Sequence, residues 1–100
     1  MAKEAAQEDV VNIQVDVDPV VAQGMYVNLA IGNFNREEFV TDFVFLQPGS
    51  TKGQVRSRVI LSPRNAKRLM TMMQENIATY ESKFGVITED PQAGVQFSFN

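Results

Sequence analysis

The chain has 100 residues, 44% hydrophobic and 21% charged, with a net charge of −3 and neither cysteine nor histidine. One domain of this size buries somewhat over about 60% of its unfolded surface, and the missing thiols and imidazoles exclude disulfides, the usual zinc sites and histidine-based proton transfer. Mild acidity argues against avid nonspecific binding to nucleic acid, no apolar run approaches the ~20 residues that span a bilayer, and the opening MAKEAAQEDVV lacks the apolar core of an export signal, so a soluble cytoplasmic protein with no membrane partner is expected.

Residues 1–9 show no apolar periodicity and read as a disordered or frayed lead-in. A single folded domain is expected over 10–87, with 88–100 as a tail. From Val11 to Val17, Val11, Ile13, Val15 and Val17 alternate with Asn12, Gln14 and Asp16, the period of a strand with one wet face. Asp18 and Pro19 end it, and PVVAQG is a connection with room for one helical turn. A second strand is expected over Met25–Phe34, with Val27, Leu29 and Ile31 on one face. The polar GNFNRE stretch then turns the chain into an antiparallel third strand.

That third strand, Glu38–Leu46, sets Phe39, Thr41, Phe43 and Phe45 on one face and Val40, Asp42, Val44 and Leu46 on the other. Two apolar faces mark a central strand covered on both sides, one side by the chain's own helix and the other by a second subunit. QPGSTKG is the next turn. A fourth strand, Gln54–Leu61, is expected to place Val55, Ser57, Val59 and Leu61 on one face and Arg56, Arg58 and Ile60 on the outer one.

Ser62 is placed to N-cap a helix and Pro63 suits its first position. Ala66, Met70, Met73, Ile77, Tyr80 and Phe84 follow at spacings of four and three, Leu69 widens the stripe, and Gly85 terminates it. The helix is about 22 residues or roughly 33 Å long, more than a small four-stranded sheet needs, so part of its stripe is expected to pack on another copy. Beyond it, Val95, Phe97 and Phe99 alternate with Gln96 and Ser98. This tail either docks loosely, adds a short C-terminal edge strand, or is donated to a neighbouring subunit. The architecture expected is α+β: a four-stranded antiparallel meander followed by one long amphipathic helix packed on the sheet.

Charge is unevenly spread. Glu4, Glu8, Asp9, Asp16 and Asp18 crowd the first residues, whereas Lys52, Arg56, Arg58, Arg64, Lys67 and Arg68 follow one another with no acid between them. Cations in the first turns of a helix oppose its macrodipole and favour negative company. One reading makes Arg56, Arg58, Arg64, Lys67 and Arg68 an anion or nucleic-acid site. The favoured reading has this face solvated, or paired with Glu37, Glu38, Asp42 or a partner's acidic N-terminal segment. Asp42, alone in an apolar strand, is read as paired with Arg56 or Arg58, because no second carboxylate, cysteine or histidine accompanies it for catalysis. Neither a catalytic residue, a metal ligand nor a cofactor site is expected. Met70, Met73, Ile77, Tyr80 and Phe84 are the candidate oligomer interface.

The segments REEFVTDFVFLQPG and VRSRVILSPRNAKRLMTMMQENIATYESKFG carry a family resemblance. They resemble a small bacterial family known as domain of unknown function 3467, with an EF-x-x-DF strand, a Pro-Gly turn, an R-x-x-L-[ST]-P-x-x-A-K-R-L helix start and an N-I-x-x-YE-x-x-FG helix end. The matching residues run from Glu38, Phe39, Asp42 and Phe43 through Pro48 and Gly49, then Arg58, Leu61, Ser62, Pro63, Ala66, Lys67, Arg68 and Leu69, to Asn76, Ile77, Tyr80, Glu81, Phe84 and Gly85. The resemblance spans 24–87, leaves out the 95–99 tail, and implies no activity. The order of strands and helix is also similar to that of PUR-type single-strand nucleic-acid-binding repeats and of SecB-type chaperone subunits, analogies at the level of fold. A non-catalytic homo-oligomeric interaction or assembly module leads. The alternatives are a single-stranded nucleic-acid-binding protein using the basic strand-helix corner and a SecB-like holder of unfolded chains.

Overall fold

Side chains that imitate backbone build the sheet. In the computed structural model, which describes residues 10–89 and 95–99, β1 (Leu29–Phe34), β2 (Phe39–Leu46) and β3 (Gly53–Leu61) form an antiparallel sheet in the order β1-β2-β3. The first hairpin turns because the Asn35 side-chain oxygen accepts the backbone N–H groups of Glu37 at 2.8 Å and Glu38 at 3.0 Å. The second turns at Pro48-Gly49, where Gly49 takes a φ of +81°, a conformation that costs glycine no steric penalty. Asn28 extends the first ladder by one residue. Its backbone N–H donates to Val44 O at 3.1 Å, and its carboxamide both donates to Leu46 O at 2.8 Å and accepts from Leu46 N at 2.9 Å.

The register defines the two faces. Phe34, Phe39, Thr41, Phe43, Phe45, Val59 and Leu61 share one, and Leu29, Ile31, Val40, Asp42, Val44, Leu46, Arg58 and Ile60 share the other. A shift in register between Phe43 and Val44 sets Ser57 opposite Phe43 but Val55 opposite Val44. One residue is therefore extra in β3, the signature of a bulge. Val55 consequently lies on the Arg58 face, and Arg56 turns to the aromatic face, where its guanidinium sits 5.2 Å from the Phe45 ring centre. The common outer face expected for the two arginines is corrected by this inserted residue, because strand alternation holds only while the ladder is unbroken.

Asp18 caps α1 (Pro19–Ala22), its carboxylate accepting Val20 N–H at 2.9 Å. The long helix is α2 (Pro63–Phe84), with Ser62 Oγ accepting Asn65 N–H at 3.2 Å and Pro63 in its first turn. At its far end Gly85 takes a φ of +103° and donates its N–H to Glu81 O at 3.0 Å, while the Glu81 carboxylate accepts Ile87 N–H at 2.9 Å. Glu81 thus holds both the last helical turn and the chain leaving it.

Four expectations about the architecture are corrected. Residues 10–18 are exposed and belong to no strand, so among the described residues the sheet has three strands and not four. Period-two alternation reports an extended conformation and says nothing of a hydrogen-bonding neighbour. Residues 95–99 likewise form no edge strand. Nor is α2 laid on the sheet: it has no buried residue, and its main contact with the sheet is with β3, the strand it continues. The second strand begins at Leu29 rather than Met25, with Asn28 at its mouth. The lead-in over 1–9 and part of the 88–100 tail lie outside the described residues.

The fold is elongated, with a radius of gyration of 18.2 Å against about 13 Å for a compact domain of this length. Among the described residues the buried ones are Val44 and Asp42, both on β2. Since the Asn28 carboxamide closes the open end of the β1–β2 ladder with two hydrogen bonds, Asn28→Ala should destabilise the protein by about 1–2 kcal/mol, read as a lower urea midpoint at unchanged slope.

Candidate interaction surface

Three apolar surfaces lie uncovered. The first is the stripe along α2, where Met70, Met73, Ile77, Tyr80 and Phe84 are 42% to 72% exposed. These are the five residues expected at an oligomer interface, and the helix does bring them into one line, with Tyr80 and Phe84 in ring contact at 5.0 Å. Their continuity follows from the four-and-three spacing, and their exposure from the direction of α2, which carries them off the sheet. The second surface is the aromatic face of the sheet. Phe34 and Phe39 stack at 5.4 Å across the first hairpin, and Tyr26 meets Phe45 edge-on at 6.2 Å. The third is segment 10–18, which exposes Val11, Ile13, Val15 and Val17.

The five cations proposed as an anion site do not come together. Arg58 is committed to Asp42: its Nε donates to one carboxylate oxygen at 2.6 Å and its second terminal nitrogen to the other at 2.9 Å. Such a forked pairing satisfies both oxygens of a carboxylate that is 4% exposed, while the arginine side chain, 58% exposed, keeps its outer edge in solvent. The choice between Arg56 and Arg58 that the sequence left open is settled by register, which sets Asp42 and Arg58 opposite one another. Arg56 stands on the other face. Arg64, Lys67 and Arg68 remain together along the first turns of α2, where with Pro63, Thr71, Met72 and Glu75 they border a shallow open depression.

The hydrogen bonds from Arg58 hold the Asp42 carboxyl below its ordinary value of 3.8, against burial, which acts to raise it, and with the charge of Arg58 assisting. Two residues act in ways that alternation and spacing do not show, although Glu81 stands in the YE-x-x-FG segment. Asn28 acts through its side chain on a strand end, and Glu81 through the chain beyond the helix. An asparagine just before a strand and a glutamate four residues before a terminal glycine are the signals that could have found them.

The comparison with protein families adds one finding: a family described as "Protein of unknown function (DUF3467)" matches residues 1–89. The chain belongs to this family. The match is wider than the resemblance over 24–87 and takes in segment 10–18, while the 95–99 tail lies beyond it. No curated protein and no solved structure matches the chain significantly. Membership of DUF3467 brings no assigned chemistry. Within the matched residues EFVTDF supplies Asp42, Arg58 ahead of the helix is its partner, and YESKFG supplies the Glu81 and Gly85 stop.

A carboxyl whose value is depressed on folding stabilises the fold above its unfolded value, and that contribution is lost as pH falls through the folded one. Asp42→Asn should therefore be clearly less stable than the wild type at neutral pH, and the gap should narrow as the pH is lowered below about 3.8. Urea unfolding of both proteins between pH 7 and pH 2 measures it; a gap that stayed constant to the lowest pH would remove the ionised pair as its cause.

Proposed function

We propose that this protein is a non-catalytic homo-oligomeric interaction and assembly module. The observation that carries the reading is the near absence of an interior among the described residues: β2 contributes the buried ones, Val44 and Asp42, while the α2 stripe and the aromatic sheet face stay open. The surface area points the same way. The chain exposes 9638 Å², whereas a compact monomer of 11.2 kDa exposes about 5,700 Å². Monomeric soluble proteins seldom leave a whole helix stripe and a sheet face uncovered, and a second copy, bearing the same surfaces, is the partner always at hand.

A nucleic-acid reading loses support from the geometry, since Arg58 is tied to Asp42 and Arg56 looks the other way. A holder of unfolded chains would draw on the same apolar surface, but nothing in the sheet or helix favours it over self-association. Among the described residues no helix is long and apolar enough to cross a membrane.

Light scattering on the purified protein, before and after nuclease and with the 260/280 nm absorbance ratio recorded, tests the reading. A nucleic-acid-free species at a multiple of 11.2 kDa is expected; a monomer would refute it. Met73→Glu, which sets a carboxylate in the middle of the α2 stripe, should shift the equilibrium toward monomer by at least tenfold in dissociation constant, as measured by sedimentation. Arg64→Glu combined with Arg68→Glu should leave the absorbance ratio unchanged, and a fall in that ratio would revive the nucleic-acid alternative.

A further inference from the structure

Segment 10–18 has the apolar alternation of a strand yet pairs with nothing in its own sheet, and β3 offers an open edge of matching character. We propose that this arm adds, antiparallel, to the outer edge of β3 in a second copy of the chain, each copy giving its arm to the other. The inference rests on the self-association proposed above and names the segment and the edge that meet.

Three observations select this pairing. The first is the edge. β3 has β2 on one side and no strand on the other among the described residues, and its 9 residues outrun the 6 of β1. An open edge of this length is a template for strand addition. The second is register. Setting Asp16 opposite Arg58 places Val15 opposite Val59, Ile13 opposite Leu61 and Val17 opposite Ser57, so the apolar side of the arm continues the aromatic face and its polar side falls with Arg58 and Ile60. Asp18 and Pro19 then come level with the bulge at Arg56. There the ladder is already interrupted, and the missing N–H of a proline costs little.

The third observation is charge. The arm carries Asp16 and Asp18 and no cation, while β3 carries Arg56 and Arg58 and no acid. Arg58 uses one flank of its guanidinium on Asp42 and leaves the other in solvent, open to a second carboxylate. The competing occupant from the same chain, Val95–Phe99, alternates in the same way but brings no charge to meet these arginines, and it lies outside the family match that includes the arm. Pairing with the chain's own β3 is the alternative that the double-cysteine variant below separates from exchange.

The absence of cysteine makes the test clean. Val15→Cys is introduced in one preparation and Val59→Cys in a second that bears a size-distinguishing tag; the two are mixed, oxidised and compared on a non-reducing gel. The mixed-size adduct is expected, at several times the yield of a mixture of Val15→Cys with Ile60→Cys, whose side chain lies on the opposite face. The double variant should likewise give a covalent dimer. If it closes within one chain instead, the arm belongs to its own sheet and the exchange is overturned. If the mixed adduct fails to form while light scattering still reports an oligomer, arm exchange falls and the assembly reading stands; a monomer would remove both. Should the cysteine variants fail to fold, Asp16→Lys reads the same contact without them. Its dimer should be roughly 3- to 10-fold weaker, and an unchanged dissociation constant would overturn the proposed register.

Discussion

Ser62 is the single residue between the end of β3 and the start of α2, and much of the molecule follows from its geometry. Its backbone is extended, at φ −65° and ψ 157°, and Pro63 behind it has a ring-locked φ, so the direction of the helix is decided within two residues. A connection this short leaves no chain with which to turn a 22-residue helix back over the sheet. The stripe that a longer loop would have brought down on β2 is carried outward instead. Both the stripe and the face it would have covered are left without an intramolecular partner.

The sheet copes with this exposure through a polar centre. Asp42 sits on the middle strand, and the guanidinium of Arg58 closes over it from the neighbouring strand. A slip of one residue between β2 and β3 would turn Arg58 to the aromatic face and part it from the carboxylate. In a sheet with so little buried hydrocarbon to define the register, a charge pair that exists in one alignment alone supplies the discrimination. Gly53 adds a second constraint on the same strands, since a Cβ there would come within 2.9 Å of Val44 Cγ1, at one of the two buried residues.

What the sequence made legible was local. The helix from Ser62 to Gly85 could be read in full, because capping, proline placement and apolar spacing are all encoded within a turn or two of chain. β2 and β3 were legible to within a residue for the same reason, and the partner of Asp42 was narrowed to two arginines on one strand. Pairing was harder to see. Val11, Ile13, Val15 and Val17 have the pattern of a strand, but whether a strand finds a neighbour depends on where the edges of a sheet lie in space. The bulge escaped because Arg56 looks like any alternating residue until the register of β2 shows that β3 has one too many. For the candidate interface, the sequence named the helix residues; that they stand uncovered depends on the direction set at Ser62.

The bulge in β3 also bears on how an open edge avoids its own kind. By sending Arg56 to one face and Arg58 to the other, it leaves neither side of the strand free of positive charge. Two copies of β3 aligned edge to edge would bring arginines together on both faces at once, and like charges directly across a ladder oppose pairing. The same arginines that welcome an acidic strand thus act as gatekeepers against stacking of sheet on identical sheet, so the edge can stay open for a chosen strand without inviting endless growth.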